Sequence, residues 1–275
     1  CLWRVLRLTS LEHFSDLRAD SSAQVRTMRK SVYGPPSTDN PLRVVTFWWR
    51  NPTAKHLNYG WDYDVSDVLR LYGSFRKHTT VPFEFLVFTD NQDLLTTDFP
   101  GVIAKDVDVY FPELREYRRC FRRLKTFDAS MKEVIGPRFL RCDLDLEIVG
   151  PMDRLLTRPE EFVGYRDSNN LRAYAGSWLL TDAGAHSEVW TRWSLDEYLD
   201  KASREFVGSD QAWQSYIINQ ADELPPRFTH EDGVWDFWQV EHLPRLPRDT
   251  SVVMVNGMAR NLELDSTKKK LDWKL

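Results

Sequence analysis

Two β-branched and aromatic runs, Val44-Val45-Thr46-Phe47-Trp48-Trp49 and Phe83-Glu84-Phe85-Leu86-Val87-Phe88-Thr89, flank a segment in which Val65, Val68, Leu69, Tyr72 and Phe75 recur at helical spacing. The runs read as buried strands, and the spacing reads as a helix with one apolar face. A strand, a helix and a strand in that order form a crossover unit, which makes the two strands parallel neighbours. The alternation continues along the chain. A strand is expected near Val102 to Val109, a helix over about Arg122 to Val134, and a strand from Arg138-Phe139-Leu140. Further strands are expected at Glu161 to Tyr165, Tyr174 to Leu180 and Ser251 to Val255. Helices follow at about Ser187 to Asp200 and Ser209 to Asn219, the second with Ser209 or Asp210 as its N-cap. The pattern predicts an α/β domain over 41–262. Residues 1–40 read as a peripheral helical extension (Leu11, Phe14, Leu17, Val25, Met28) ending at Gly34-Pro35-Pro36, and 263–275 read as a basic, solvated tail.

Composition narrows the function. A chain of 275 residues that is 42% hydrophobic can bury one sizeable core. A net charge of −4, from 37 basic and 41 acidic residues, gives no global pull toward nucleic acid or anionic lipid. Cys1, Cys120 and Cys142 lack metal-ligand spacing and make no even disulfide set, which fits a reducing compartment. No apolar run approaches ~18 residues, so no membrane span is expected. The expected location is cytoplasmic, in the host cytoplasm if the chain is phage-encoded. Six of the eleven tryptophans fall between Trp178 and Trp238, as core packing or as an aromatic wall for a sugar or base.

The segment richest in chemistry is Phe139-Leu140-Arg141-Cys142-Asp143-Leu144-Asp145-Leu146-Glu147-Ile148. Three acids alternate with three apolar residues, so an extended backbone puts the carboxylates on one face. Like charges that close repel unless a cation sits among them, and oxygen ligands without His or Cys favour Mg²⁺ or Mn²⁺. An exposed strand face carries the same pattern, and spacing alone leaves both readings open.

The layout from Phe139 to Gly150-Pro151-Met152-Asp153-Arg154-Leu155-Leu156 resembles the GT-A fold glycosyltransferases, especially the family-8-like retaining, D-x-D-containing transferases and their phage and bacterial relatives. Other segments match in order between about residues 42 and 262. Val44 to Trp49 is similar to the first strand, whose end lines the nucleobase pocket, and Phe88-Thr89-Asp90-Asn91 to the second strand and its turn. Arg123-Leu124-Lys125-Thr126-Phe127 resembles the segment whose basic residue reaches the donor. Tyr174-Ala175-Gly176-Ser177-Trp178 is similar to the small-residue strand, and Gly208-Ser209-Asp210-Gln211 to the helix start beside the donor sugar. The resemblance implies a Rossmann-like, mainly parallel mixed sheet flanked by helices. It implies a hexosyltransferase that uses a nucleotide-sugar, with UDP as the expected nucleotide, and Mn²⁺ or Mg²⁺ as cofactor. Asp143, Asp145 and Asn256 are implied as metal ligands, with Glu147 supporting. Thr46, Trp48, Asp90, Arg123, Asp143 and Ser177 are implied at the nucleotide-sugar, and Asp210, Gln211 and Arg123 in catalysis with retention.

The sequence departs from that pattern in three places. Ala175 stands where the family often has Asn, and Ala212 where many members have a second Asp. Val255-Asn256-Gly257 stands in place of a Phe-His-Gly whose His binds metal, and an Asn amide is a weaker ligand for Mn²⁺. A D-x-D-x-T phosphatase competes for the Asp143-Leu144-Asp145 pattern but expects Thr or Val where Glu147 stands. A nucleotidyltransferase needs a preceding Gly-Ser on a helix, which is lacking. A non-catalytic nucleotide-sugar-binding module is the third alternative. Arg115, Arg118, Arg119, Arg122 and Arg123, interleaved with Tyr117 and Phe121, read as a solvated helix face or as a site for a diphosphate, an acidic acceptor or a nucleic-acid backbone. The acceptor is left open between a glycan, a protein and a modified base of phage DNA.

Overall fold

The computed structural model describes residues 29–49, 63–117, 120–167 and 172–255. Its strands are β1 (Leu42–Trp48), β2 (Phe83–Thr89), β3 (Val102–Asp106), β4 (Arg138–Cys142), β5 (Leu146–Ile148), β6 (Phe162–Tyr165), β7 (Ala175–Asp182), β8 (Arg227–Phe228), β9 (Val234–Asp236) and β10 (Val252–Met254). Seven form the main sheet in the order β3-β2-β1-β4-β7-β6-β8, and β5-β10-β9 form a small second sheet. In the main sheet β7 runs antiparallel to β4 and β6, and every other pairing is parallel. The architecture is therefore the expected mixed, mainly parallel α/β sheet flanked by helices.

Period-two alternation decides what covers each face. Leu42, Val44, Phe85, Val87, Leu140 and Cys142 share one core with Val68, Leu71 and Phe75 of the helix Val65–His78 and with the small sheet. Val45, Leu86, Phe88 and Phe139 meet Val107, Phe111, Met131 and Ile135 on the opposite side. There Phe162 and Leu179 also pack on Trp213 and Ile217. The helix Val65–His78 starts at an Asp64/Asp67 capping box and ends in Arg76, Lys77 and His78, which suits its dipole at both ends.

Several elements are shorter than their patterns predict, because local side-chain caps interrupt them. The strand from Val102 stops at Asp106, whose carboxylate accepts the Asp108 N–H (2.8 Å) and opens a helical turn, Val107–Tyr110. The helix expected over Arg122 to Val134 is a 3₁₀ segment, Phe121–Phe127, then two short turns, Ala129–Met131 and Lys132–Ile135. It breaks at Asp128, which is extended and accepts from the Ser130 N–H (2.9 Å). The helix expected over Ser187 to Asp200 divides at Ser194, which caps Leu195–Glu197 through the Glu197 N–H (3.3 Å). Asp143, Asp145 and Glu147 do not share one strand: β4 ends at Cys142, a turn carries both aspartates, and Glu147 lies in β5 of the second sheet.

Of the expected N-terminal extension, residues 29–40 are described. Lys30 bridges to Glu160, and the Ser31 N–H donates to the Pro159 carbonyl (2.8 Å). The pattern from Leu11 to Met28, Asn256 and the basic tail lie outside the described residues. Among the described residues no helix is long and apolar enough to cross a membrane.

At the end of the sheet where β4 begins, Arg138 and Asp182, both nearly inaccessible, form a salt bridge of 2.5 Å across the β4–β7 pair. The Ser31 hydroxyl donates to the same carboxylate (2.9 Å), and Arg138 donates to the Arg158 carbonyl (2.6 Å). Removing one partner of such a pair strands the other charge without water. Asp182→Ala is therefore expected to lower unfolding free energy by about 3–5 kcal/mol in a denaturant titration. A loss under about 1 kcal/mol would show that Arg138 is compensated without Asp182.

Candidate active site

The carboxyl ends of β1, β2 and β4 meet the start of antiparallel β7 along one edge of the sheet. Ligands of open α/β sheets bind at such edges. β4 carries Arg141 on the face opposite Leu140 and Cys142, so its guanidinium enters the interior beneath the edge and is fully buried. It donates to Thr126 Oγ1 (2.9 Å), to the Arg123 carbonyl (3.2 Å) and to Gln214 Oε1 (2.6 Å), and it lies over the Phe127 ring. Burial, and then repulsion from Arg123, bring its pKa down to about 10, so it stays charged at neutral pH.

Arg123 is the neighbouring buried guanidinium. Its Nε and Nη2 donate to the two oxygens of Asp210 (2.9 and 3.1 Å), and its Nη1 pairs with Asp143. Burial acts against this charge, but Asp143 and Asp210 outweigh it and hold the pKa well above the usual arginine value. Two guanidinium and two carboxylate groups thus neutralise one another beneath the edge. Asp143 also anchors its own backbone, donating its N–H to the Ser177 carbonyl of β7 (3.1 Å).

Asp210 opens the helix Asp210–Ile218 from its first turn, and Ser209 holds the N-cap position without a capping hydrogen bond. Neither residue is therefore the side-chain cap that the pattern suggests. The Ser209 hydroxyl accepts the Cys120 N–H (3.3 Å), and Asp210 is committed to Arg123. The helix reaches Tyr174, the residue before β7, through Gln214, which donates to the Tyr174 carbonyl, and through Ser215, whose hydroxyl accepts the Tyr174 N–H (3.0 Å). Close approach requires glycine at 176: a Cβ there would lie 2.9 Å from Arg141 Nη2 and 3.2 Å from Asp210 Oδ2. Gly208, at φ +111°, makes the turn that delivers the helix start. The half-buried Gln211 has its amide oxygen enclosed, with no hydrogen-bond partner.

The acids of the β4–β5 connection keep their alternating exposure: Leu144, Leu146 and Ile148 are buried, and Asp143, Asp145 and Glu147 are half-exposed. Among the described residues no group of three or more His, Cys, Asp or Glu is placed to hold a metal. Two half-exposed carboxylates without nitrogen or sulfur still suit a hard cation, because Mg²⁺ is commonly held by one or two carboxylates plus substrate phosphates. On that basis the chemistry of Asp145 and Asp143 is compatible with Mn²⁺ or Mg²⁺, Asp143 being already paired with Arg123.

Of the other expected site residues, Trp48 ends β1 and is half-buried, and Asp90 follows β2 one residue beyond the Trp48–Thr89 register pair. Thr46 lies deeper in β1, fully buried, and its hydroxyl has no partner. Of the arginine run, Arg115 is exposed, whereas Arg122 and Arg123 are buried and not part of a solvated face. Arg122 is buried and donates to Phe111 and Val107 carbonyls and to Asp108, which Arg115 also meets. Tyr117 and Phe121 pack on Trp193. Arg118 and Arg119 lie outside the described residues. Cys120 borders the cluster, but burial pushes its thiol up to about 11, which leaves it no nucleophile at neutral pH.

No protein-family model and no curated protein matches the chain. Among solved structures, it is similar to mouse xyloside xylosyltransferase 1 in its apo form. The identity is 12% and the TM-score 0.49, over 78% of this chain and 98% of that one.

The Arg123–Asp210 pair separates an electrostatic role from capping. Asn caps a helix as well as Asp, so a capping residue would tolerate Asp210→Asn. A buried counter-ion would not: Asp210→Ala should cost about 3–5 kcal/mol, and Asp210→Asn should lower the melting temperature as well. A wild-type melting curve for Asp210→Asn would remove the counter-ion role.

Proposed function

We propose that the chain is a metal-dependent glycosyltransferase that moves a sugar from a nucleotide-sugar, with UDP the expected nucleotide, to a hydroxyl acceptor with retention. The observation that carries this reading is the direct joining of Arg123, Asp143 and Asp210 at the carboxyl edge, from three segments that sequence resemblance assigns to one donor site. Asp145, with Asp143, would hold a divalent cation, which would supply Lewis-acid neutralisation of the departing diphosphate.

Within the protein, Arg123 provides a fixed positive charge whose orientation is set before the donor arrives. Asp210 locks two of its N–H groups and Asp143 a third, out of the five a guanidinium carries. A charge held so costs no reorganisation as the bond breaks. Asp210, with both oxygens on Arg123, acts through that arginine as a positioning residue. The enclosed, unpartnered Gln211 oxygen beside it suits a group that faces developing positive charge at the sugar. In the reaction the bond from the anomeric carbon to phosphate breaks and the bond to the acceptor oxygen forms. The acceptor proton passes to the departing phosphate on the same face, so no strong base is needed opposite.

The test is a panel of nucleotide-sugars incubated with the protein and Mn²⁺, with products read by mass. Hydrolysis or transfer is expected for one donor and should disappear in chelator. Asp145→Ala should lower turnover by more than about a hundredfold, beyond what outer-shell changes cost, and leave the melting temperature unchanged. Full turnover in chelator would sink the metal-dependent reading, and saturable donor binding without turnover would point to a binding module.

A further inference from the structure

The turn that carries Asp145 runs from Leu144 to Leu146, the first residue of β5, and a single side chain gathers the carbonyls at both ends. Arg70, on the helix Val65–His78, donates through Nη2 to the Leu144 carbonyl (2.7 Å) and through Nη1 to the Leu146 carbonyl (3.3 Å). The same Nη1 reaches Glu147 Oε1 (2.9 Å). The two carbonyls bracket Asp145, so one planar guanidinium spans the residue from both sides. The helix beneath is anchored by buried Val68 and Leu71 on either side of Arg70 and by contacts with β5. Both side chains of the Arg70–Glu147 pair are more than a third exposed, and an ion pair that wet adds little to stability. The bonds to the carbonyls have a different consequence: they fix the backbone from which the Asp145 carboxylate projects.

We propose that Arg70 is a positioning residue for the cation site at Asp145. The inference rests on the metal-dependent reading above and adds to it a residue that touches neither cation nor donor. The fork is the essential feature, since a lysine ammonium is a point charge that cannot match two carbonyls spaced across a residue. Electrostatics and positioning also predict opposite signs. Arg70 is a positive charge near a cation site, so by Coulomb's law its removal should tighten metal binding. Loss of the carbonyl clamp should weaken it.

The experiment titrates Mn²⁺ alone into the protein and follows the free-ion spin-resonance signal, for wild type, Arg70→Met, Arg70→Lys and Asp145→Ala, each with its melting temperature. Positioning predicts that Arg70→Met and Arg70→Lys both bind Mn²⁺ about 10–100-fold more weakly than wild type, as outer-shell changes do, with melting temperatures close to wild type. Equal or tighter binding by Arg70→Met overturns the proposal. So does wild-type affinity in Arg70→Lys, which keeps the stem and the charge and covers the case in which Arg70→Met folds poorly. If wild type and Asp145→Ala take up Mn²⁺ alike, the cation site itself is misplaced, and the metal reading falls before Arg70 is judged.

Discussion

A guanidinium in the interior has to be answered by acceptors, and this fold is arranged around two of them. Arg141 stands in the middle of the sheet where a strand residue would ordinarily be apolar, and Arg123 lies beside it. Their partners come from the turn after β4, the 3₁₀ segment Phe121–Phe127 and the helix Asp210–Ile218. Gly176 of β7 yields the space between them. None of these elements can move far without leaving a charge or an amide unpaired, which costs more than the net gain of making the bond. The helix Asp210–Ile218 illustrates the point. It has nine residues and most of them are buried, including Asp210, Gln214 and Ser215, so polar bonds as well as the apolar packing of Trp213 and Ile217 fix its position.

That arrangement explains which parts of the molecule could be read from the sequence. The β1 and β2 runs and the helix between them were legible because burial on alternating or helical positions is a local property, written in neighbouring residues. The acids after β4 were legible as a group, and their alternate exposure survives, although the chain turns there and enters a second sheet. The joining of Arg123 to Asp143 and Asp210 followed from resemblance and not from spacing, since 87 residues separate Arg123 from Asp210. Arg141 carried a signal that could have been used: a charge inside the apolar run Phe139-Leu140-Arg141-Cys142 must find a buried partner. Nothing local identifies that partner as Gln214. Breaks in the helices were illegible for the opposite reason. Asp128 and Ser194 cap in place of continuing, and such residues fit both a helix surface and a helix start.

The two ends of the sheet use ion pairs differently. At the end where β4 begins, Arg138 and Asp182 close on each other and on the segment before β1, so the charges serve cohesion. At the carboxyl edge the second oxygen of Asp143 and two guanidinium hydrogens of Arg123 are uncommitted among the described residues. Among the described residues, cohesion is left partial only at the carboxyl edge, where hydrogen-bonding capacity remains.

The charge balance beneath the edge sets what kind of ligand can enter. On the proposed reading, a free anion that displaced Asp143 from Arg123 would strand that carboxylate beside Asp145, so inorganic phosphate would gain little by coming alone. An anion that brought its own divalent counter-charge would meet no such opposition, because the displaced carboxylate would find a new partner in the same step. On that reading the Arg123–Asp143 pairing would act as a filter on ion composition, discriminating by charge against simple anions.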